Sequence, residues 1–269
     1  MEHILFPFDF SRQAILTAPF VQKLACRLHA RVTVLSVAPP PLNGNEEEVL
    51  RDRLNASLRQ ELPGVIVDRV VLGGDPAVRI ADFAHSNKVD LIMMPTHGCG
   101  PFRRLLLGSV TAKILHDAHC PVWTAAHAEE QKPSDLPRTI LCAVDRTPES
   151  VALMQWALAF SKNIGANLTL MHVVPQVSDW LAVPSERHLQ EAYREEARVK
   201  IAALQREAGV DLPVRIAVGP VSAIVTEEAR QEAADLVILG RGSLPGSMGR
   251  LRTHVYGIIQ SSPCPVLSV

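Results

Sequence analysis

The chain has 269 residues, of which 47% are hydrophobic, only 4% aromatic and 20% charged. That length holds two domains of ordinary size, and the aliphatic-rich balance suits parallel sheets covered by helices and excludes a disordered chain. With 27 Lys and Arg against 28 Asp and Glu, there is no global charge footprint for nucleic acid or an anionic membrane, so neither is an expected partner.

The opening residues, HILFPFDFS from His3, read as a short strand ending at Asp9. No basic flank with an apolar signal core precedes them, and no later segment reaches about 18 uninterrupted apolar residues, so a cytoplasmic location is expected. RQAILTAPF begins an amphipathic helix, and RVTVLSV is a second strand. The charged stretch from Glu46 to Glu61 predicts a helix with a solvated face. VIVDRVVL, DLIMMP and PVWTA follow as third, fourth and fifth strands, alternating with helical periodicity. This alternation predicts a doubly wound parallel α/β sheet, with helices on both faces and a ligand crevice at the carboxyl ends of the strands.

The stretch from Ala125 to Arg138, AAHAEEQKPSDLPR, mixes charge with two prolines and has no apolar period. It reads as a linker, placing domains at 1–126 and 138–269 around residues 127–137. Beyond it the first half repeats. Asp145 stands 136 residues after Asp9, and Pro175 stands at the same offset from Pro39. DLIMMP from Asp90 and DLVILG from Asp235 correspond at an offset of 145, with Gly74 and Gly219 each sixteen residues upstream of that aspartate. The charged stretch from Glu186 to Glu207 matches the earlier one in place, and both halves close on Cys-Pro-Val, at Cys120 and Cys264. The expected architecture is two tandem Rossmann-like domains.

After Met94 comes PTHGCGPFRRLLLGSVTAKIL, a loop entering a helix near Gly108, Ser109 and Val110. Such a loop lets backbone N–H groups converge on phosphate oxygens, glycine removes the Cβ that would block approach, and a helix N-terminus adds positive partial charge. Taken alone, Gly98 and Gly108 serve turns and helix packing equally well. The loop resembles that of the universal stress protein family, whose pattern is G-x2-G-x9-G-[ST]. Gly98, Gly108 and Ser109 match its last three fixed positions, while the first is Pro95. Proline lacks an N–H and has a fixed φ, so any contact that needs that donor is lost. The resemblance covers nearly the whole chain, twice, and implies an adenine nucleotide α-hydrolase-like fold. It also implies binding of ATP or a related adenine nucleotide, with Mg2+, in the first domain. The residues it assigns to that site are Pro7, Asp9, Val37, Met94, Pro95, Gly98, Gly108, Ser109, Val110 and Thr111. Asp9 has two readings: a strand-end carboxylate for ribose hydroxyls or a metal-bound water, and an N-cap of the following helix. Asp145 has the same two.

In the second half the matching positions are Gly240, Ser243, Thr253 and His254, so three of four have changed. Arg241, Arg250 and Arg252 nearby leave an anion site in another register conceivable. The spacing Gly240, Gly242, Gly246 follows a fourth strand rather than a first, which excludes a dinucleotide fingerprint. No Walker loop or nucleophile elbow occurs, so no catalytic residue is assigned; slow hydrolysis would have only Asp9, Arg103 and Arg104 to use. His116 and His119, with His97 or Cys120, could be drawn as a metal cluster, but exposed or packed histidines are the expectation and no metal site is assigned. The five scattered cysteines form no C-x-x-C pair and are expected to be reduced, with Cys120 and Cys264 packing.

The resemblance further implies pairing through last strands, here an intramolecular pseudo-dimer of PVWTA with PVLSV that covers two exposed edges; a homodimer is also compatible. The functional expectation is a stress-response or regulatory protein with nucleotide in the first domain. The alternative is a nucleotide-independent scaffold acting through protein contacts.

Overall fold

The computed structural model describes residues 1–39, 44–96, 107–125, 136–176, 184–242 and 253–269. In the first half the order is β1 (His3–Pro7), α1 (Arg12–Leu28), β2 (Arg31–Ala38), α2 (Gly44–Ala56), β3 (Val67–Gly73), α3 (Pro76–Ser86), β4 (Leu91–Pro95), α4 (Ser109–Asp117) and β5 (Val122–Ala125). The second half repeats it as β6 (Thr139–Ala143), α5 (Glu149–Ile164), β7 (Asn167–Val174), α6 (Pro184–Ala208), β8 (Val214–Val218), α7 (Val221–Gln231), β9 (Leu236–Leu239), α8 (Thr253–Ser261) and β10 (Val266–Ser268). The strands form one sheet in the order β3-β2-β1-β4-β5-β10-β9-β6-β7-β8. All neighbours are parallel except β5 and β10, which pair antiparallel with Trp123 opposite Leu267. The two last strands therefore meet at the centre, the pairing that the family resemblance implies.

Alternation along each strand builds two layers of core. Ile4 and Phe6 belong to the layer that includes α1, α2, α5 and α6, whereas Leu5 belongs to the layer that includes α3, α4, α7 and α8. Both layers run unbroken from one half to the other, with Trp123 and Leu267 together in the first and Val122 and Val266 together in the second. The central strands are buried on both faces, which is why they read as continuous apolar runs.

Local chemistry repeats with the fold. The Asp90 carboxylate accepts the N–H groups of Glu2 at 2.6 Å and His3 at 3.0 Å. Asp235 accepts those of Arg138 at 2.8 Å and Thr139 at 2.9 Å. Each aspartate thus pins the start of the first strand of its half beside the fourth. Gly74 and Gly219 have φ of +138° and +141°, a conformation that L side chains rarely adopt. A Cβ would also stand 2.7 Å from Arg79 Nε at the first and 2.9 Å from Ile224 Cγ1 at the second.

Candidate functional site

In the first half, β1 delivers Pro7 buried and Asp9 exposed beyond its end. Asp9 Oδ1 accepts the Ser11 N–H at 3.0 Å, and Ser11 Oγ accepts the Ala14 N–H at 3.1 Å. Ser11 is therefore the N-cap of α1, and the capping role considered for Asp9 belongs to its neighbour; Asp9 shapes the turn before it. Phe10, at φ 59°, turns the chain there, and the Arg53 guanidinium sits 4.1 Å above its ring. Val37 lies half-buried near the end of β2, in register with Leu72.

Met94 and Pro95 end β4, both buried. Pro95 is in register with Ala125, and its carbonyl accepts the Thr111 hydroxyl at 3.2 Å. Thr111 is thus a residue that fixes α4 to β4. The Thr96 carbonyl accepts the Gly108 N–H at 2.9 Å, so the two ends of the loop are tied together. The loop itself, with His97, Gly98, Cys99, Arg103 and Arg104, lies outside the described residues. Gly108 is the N-cap of α4 at φ −59° and ψ 144° and contributes no side-chain cap. Its conformation is one that any residue adopts. The first helical bond runs from the Ala112 N–H to the Gly108 carbonyl, so the N–H groups of Ser109, Val110 and Thr111 have no partner within the helix. Ser109 is exposed and Val110 half-buried in that first turn. A helix end of this kind favours an anion.

The second half differs. Asp145 Oδ1 accepts the Thr147 N–H at 2.9 Å and lies 2.5 Å from the Thr147 hydroxyl and 2.9 Å from that of Ser150. This oxygen is drawn into its own turn, and Arg146 pairs with Glu196 at 2.9 Å. A cavity of about 180 Å3 lies at the carboxyl ends of β6, β7 and β9, with Asp145, His172, Gly240 and His254 on its wall. Sequence reasoning missed His172; the available signal was a histidine inside the apolar run LTLMHVV, where the first half has Ser36.

Arg241 corrects one expectation. It is 6% exposed and donates to the carbonyls of Ala118 at 2.7 Å, Cys120 at 2.8 Å and Leu115 at 3.4 Å. The guanidinium is committed to the end of α4 in the other half, which removes it from any anion site beside Gly240. Ser243, Gly246, Arg250 and Arg252 lie outside the described residues. Gly242 has φ 66°, and His254 is exposed just inside α8.

The other candidates are accounted for locally. His116 Nδ1 meets Asp117 Oδ1 at 2.6 Å, and the His119 ring lies 5.4 Å from that of His85. Among the described residues no three His, Cys, Asp or Glu side chains are grouped to hold a metal. Burial pushes the thiols of Cys120 and Cys264 up to about 11 and that of Cys142 to about 12, consistent with packing rather than reactivity. No described helix is long and apolar enough to cross a membrane.

The fold defines a tandem, doubly wound α/β protein, with a cavity at the strand ends of its second half. The chain belongs to the universal stress protein family, which it matches over residues 1–125 and again over 137–269. It is 34% identical over 133 residues to a universal stress protein of Methanocaldococcus jannaschii, covering 44% of this chain and 78% of the relative. A universal stress protein of Mycolicibacterium smegmatis is 28% identical over 187 residues, covering 68% of this chain and 63% of the relative. In fold it resembles the crystal structure of a universal stress protein from Archaeoglobus fulgidus, with a TM-score of 0.72 at 21% identity, covering 99% of this chain and 97% of that one. A functionally unknown protein from Pseudomonas aeruginosa has a TM-score of 0.73 at 19% identity, covering all of this chain and 92% of its own.

Proposed function

We propose that this chain is a stress-response or regulatory protein whose first half binds ATP or a related adenine nucleotide, and whose second half is its pairing partner. The observation that carries the reading is the start of α4. Three N–H groups without helical partners, an exposed Ser109 hydroxyl and a side-chain-free Gly108 stand at the carboxyl end of the sheet. Asp9 is exposed at the end of β1, the neighbour of β4. In this reading the phosphates lie against Gly108, Ser109, Val110 and Thr111, joined by Gly98. The nucleoside extends past Met94 and Pro95 toward Pro7, Asp9 and the backbone of Val37. A bound Mg2+ would offset phosphate charge, with Asp9 as the described carboxylate at that end.

Binding in this reading is a signal and requires no turnover. The domain division at 1–126 and 138–269 belongs to the same proposal, with the altered second loop leaving the second half to supply the antiparallel edge. Pro95 favours one competing reading, a scaffold without nucleotide, because this position has no N–H to offer.

Displacement of a fluorescent ATP analogue separates the two. Gly108→Val keeps an allowed backbone conformation and fills the space a phosphate needs, so binding should be lost while the fold is retained. Ser109→Ala, which removes one hydroxyl, should weaken binding about fivefold. Affinity unchanged by Gly108→Val would overturn the site.

A further inference from the structure

The cavity of the second half is not used by the nucleotide reading. Its walls are mainly aliphatic, with Val144, Leu153, Met171, Val225 and Ile258 all buried around it. Two buried polar side chains line it as well, Ser150 at 3% exposed and His172 at 7%; the Ser150 hydroxyl is engaged with Asp145. The His172 Nδ1 lies 2.9 Å from the Val144 carbonyl. A carbonyl only accepts, so Nδ1 carries the hydrogen and the neutral ring has its lone pair on Nε2. Among the described residues no hydrogen bond to Nε2 is formed. Burial and the nearby Arg146 push the pKa of this ring down, against the bond to the Val144 carbonyl, which raises it.

The rim argues against an anion. Asp145 and Glu149 both line it, and two carboxylates repel a phosphate. The volume of about 180 Å3 is also far below that of a nucleoside triphosphate, whereas an apolar cavity of about 150 Å3 accepts a benzene ring.

We propose that this cavity binds a small neutral aromatic molecule with one O–H or N–H, its ring between the aliphatic walls and its donor on His172 Nε2. Phenol is the simplest member of the class, and toluene is nearly the same shape without the donor. The site stands independently of nucleotide binding in the first half.

The full-length protein, with labelled methyl groups on Met171 and Ile258, is titrated by NMR with phenol and with toluene. Saturable shifts of both methyls are expected, with phenol about fivefold tighter than toluene. In His172→Leu, phenol should fall to the affinity of toluene while toluene is unaffected. Leu153→Phe should block both ligands; if that variant does not fold, the wild-type comparison and His172→Leu still decide. Absence of saturable shifts at millimolar phenol would overturn the proposal. So would equal affinity for the two ligands, or displacement of phenol by Mg-ATP. Failure of ATP to bind in the first half would leave these outcomes unchanged.

Discussion

The guanidinium of Arg241, in the second half, lies 2.7 Å from the carbonyl oxygen of Ala118, the C-cap of α4 in the first. The helix whose N-terminus faces the candidate phosphate position is held at its opposite end by a cation from the other half. That cation also complements the negative end of the helix. It adds a buried polar contact to the three antiparallel residue pairs and the two continuous core layers that join the halves.

Arg241→Met should therefore destabilise the protein by about 3 kcal/mol, because buried carbonyls lose a charged donor. At this chain size that corresponds to a fall in Tm of roughly 6–12 °C, measurable by calorimetry. Arg241→Lys should recover part of the loss. A Tm unchanged in Arg241→Met would show that the three carbonyls are satisfied in some other way.

The repeated aspartates offer a second test. Asp90→Ala and Asp235→Ala each remove a carboxylate that holds two strand-opening N–H groups. Each should cost about 1–2 kcal/mol in urea unfolding. The sites lie in different halves and share no partner, so the double variant should show the sum within about 0.5 kcal/mol.

The two glycines of positive φ should differ in their response to alanine. Both substitutions meet the same backbone penalty, of about 1–3 kcal/mol. At Gly74 the new Cβ meets a flexible arginine side chain, whereas at Gly219 it meets the branched Ile224 at 2.9 Å. Gly219→Ala is therefore expected to lose more stability than Gly74→Ala, and equal losses would show that backbone strain alone matters.

Acid sensitivity follows from two buried histidines. Burial lowers the pKa of His172 and of His3 below 6.5, with Arg146 and Arg31 acting in the same direction. The bond to the Asn87 carbonyl, then Asp90 and Asp68, oppose the shift of His3, and the bond to the Val144 carbonyl opposes that of His172. Below about pH 6.5 the unfolded chain binds protons that the folded one does not, so stability rises with pH in that window and is lost as pH falls toward the folded pKa. His172→Leu and His3→Gln should each flatten the dependence of urea stability on pH between 5 and 7, relative to wild type. A slope unchanged in both would place the acid response elsewhere.

Much of the fold is legible in the sequence because short apolar runs and amphipathic helices alternate twice at a nearly fixed offset. The pairing of PVWTA with PVLSV comes from the family resemblance and is seen in the sheet. What stays hidden is long-range partnership. Asp90 is visible as the start of an apolar run, but its bond to the N–H of Glu2 spans 88 residues. Arg241 sits in a glycine-rich, arginine-rich stretch that suggests an anion, yet its guanidinium reaches carbonyls 121 to 126 residues earlier. Asp9 and Asp145 occupy matching positions, but the hydroxyls of Thr147 and Ser150 bond Asp145, whereas in the first half Ser11 turns its hydroxyl to the Ala14 N–H and Ala14 stands where Ser150 does.

Calorimetric titration of the full chain with Mg-ATP tests the first-half site most directly. Saturable heat at about one site per chain, abolished by Gly108→Val, is the expected result. No heat and no thermal shift at millimolar Mg-ATP would contradict it and leave the chain as a scaffold acting through protein contacts.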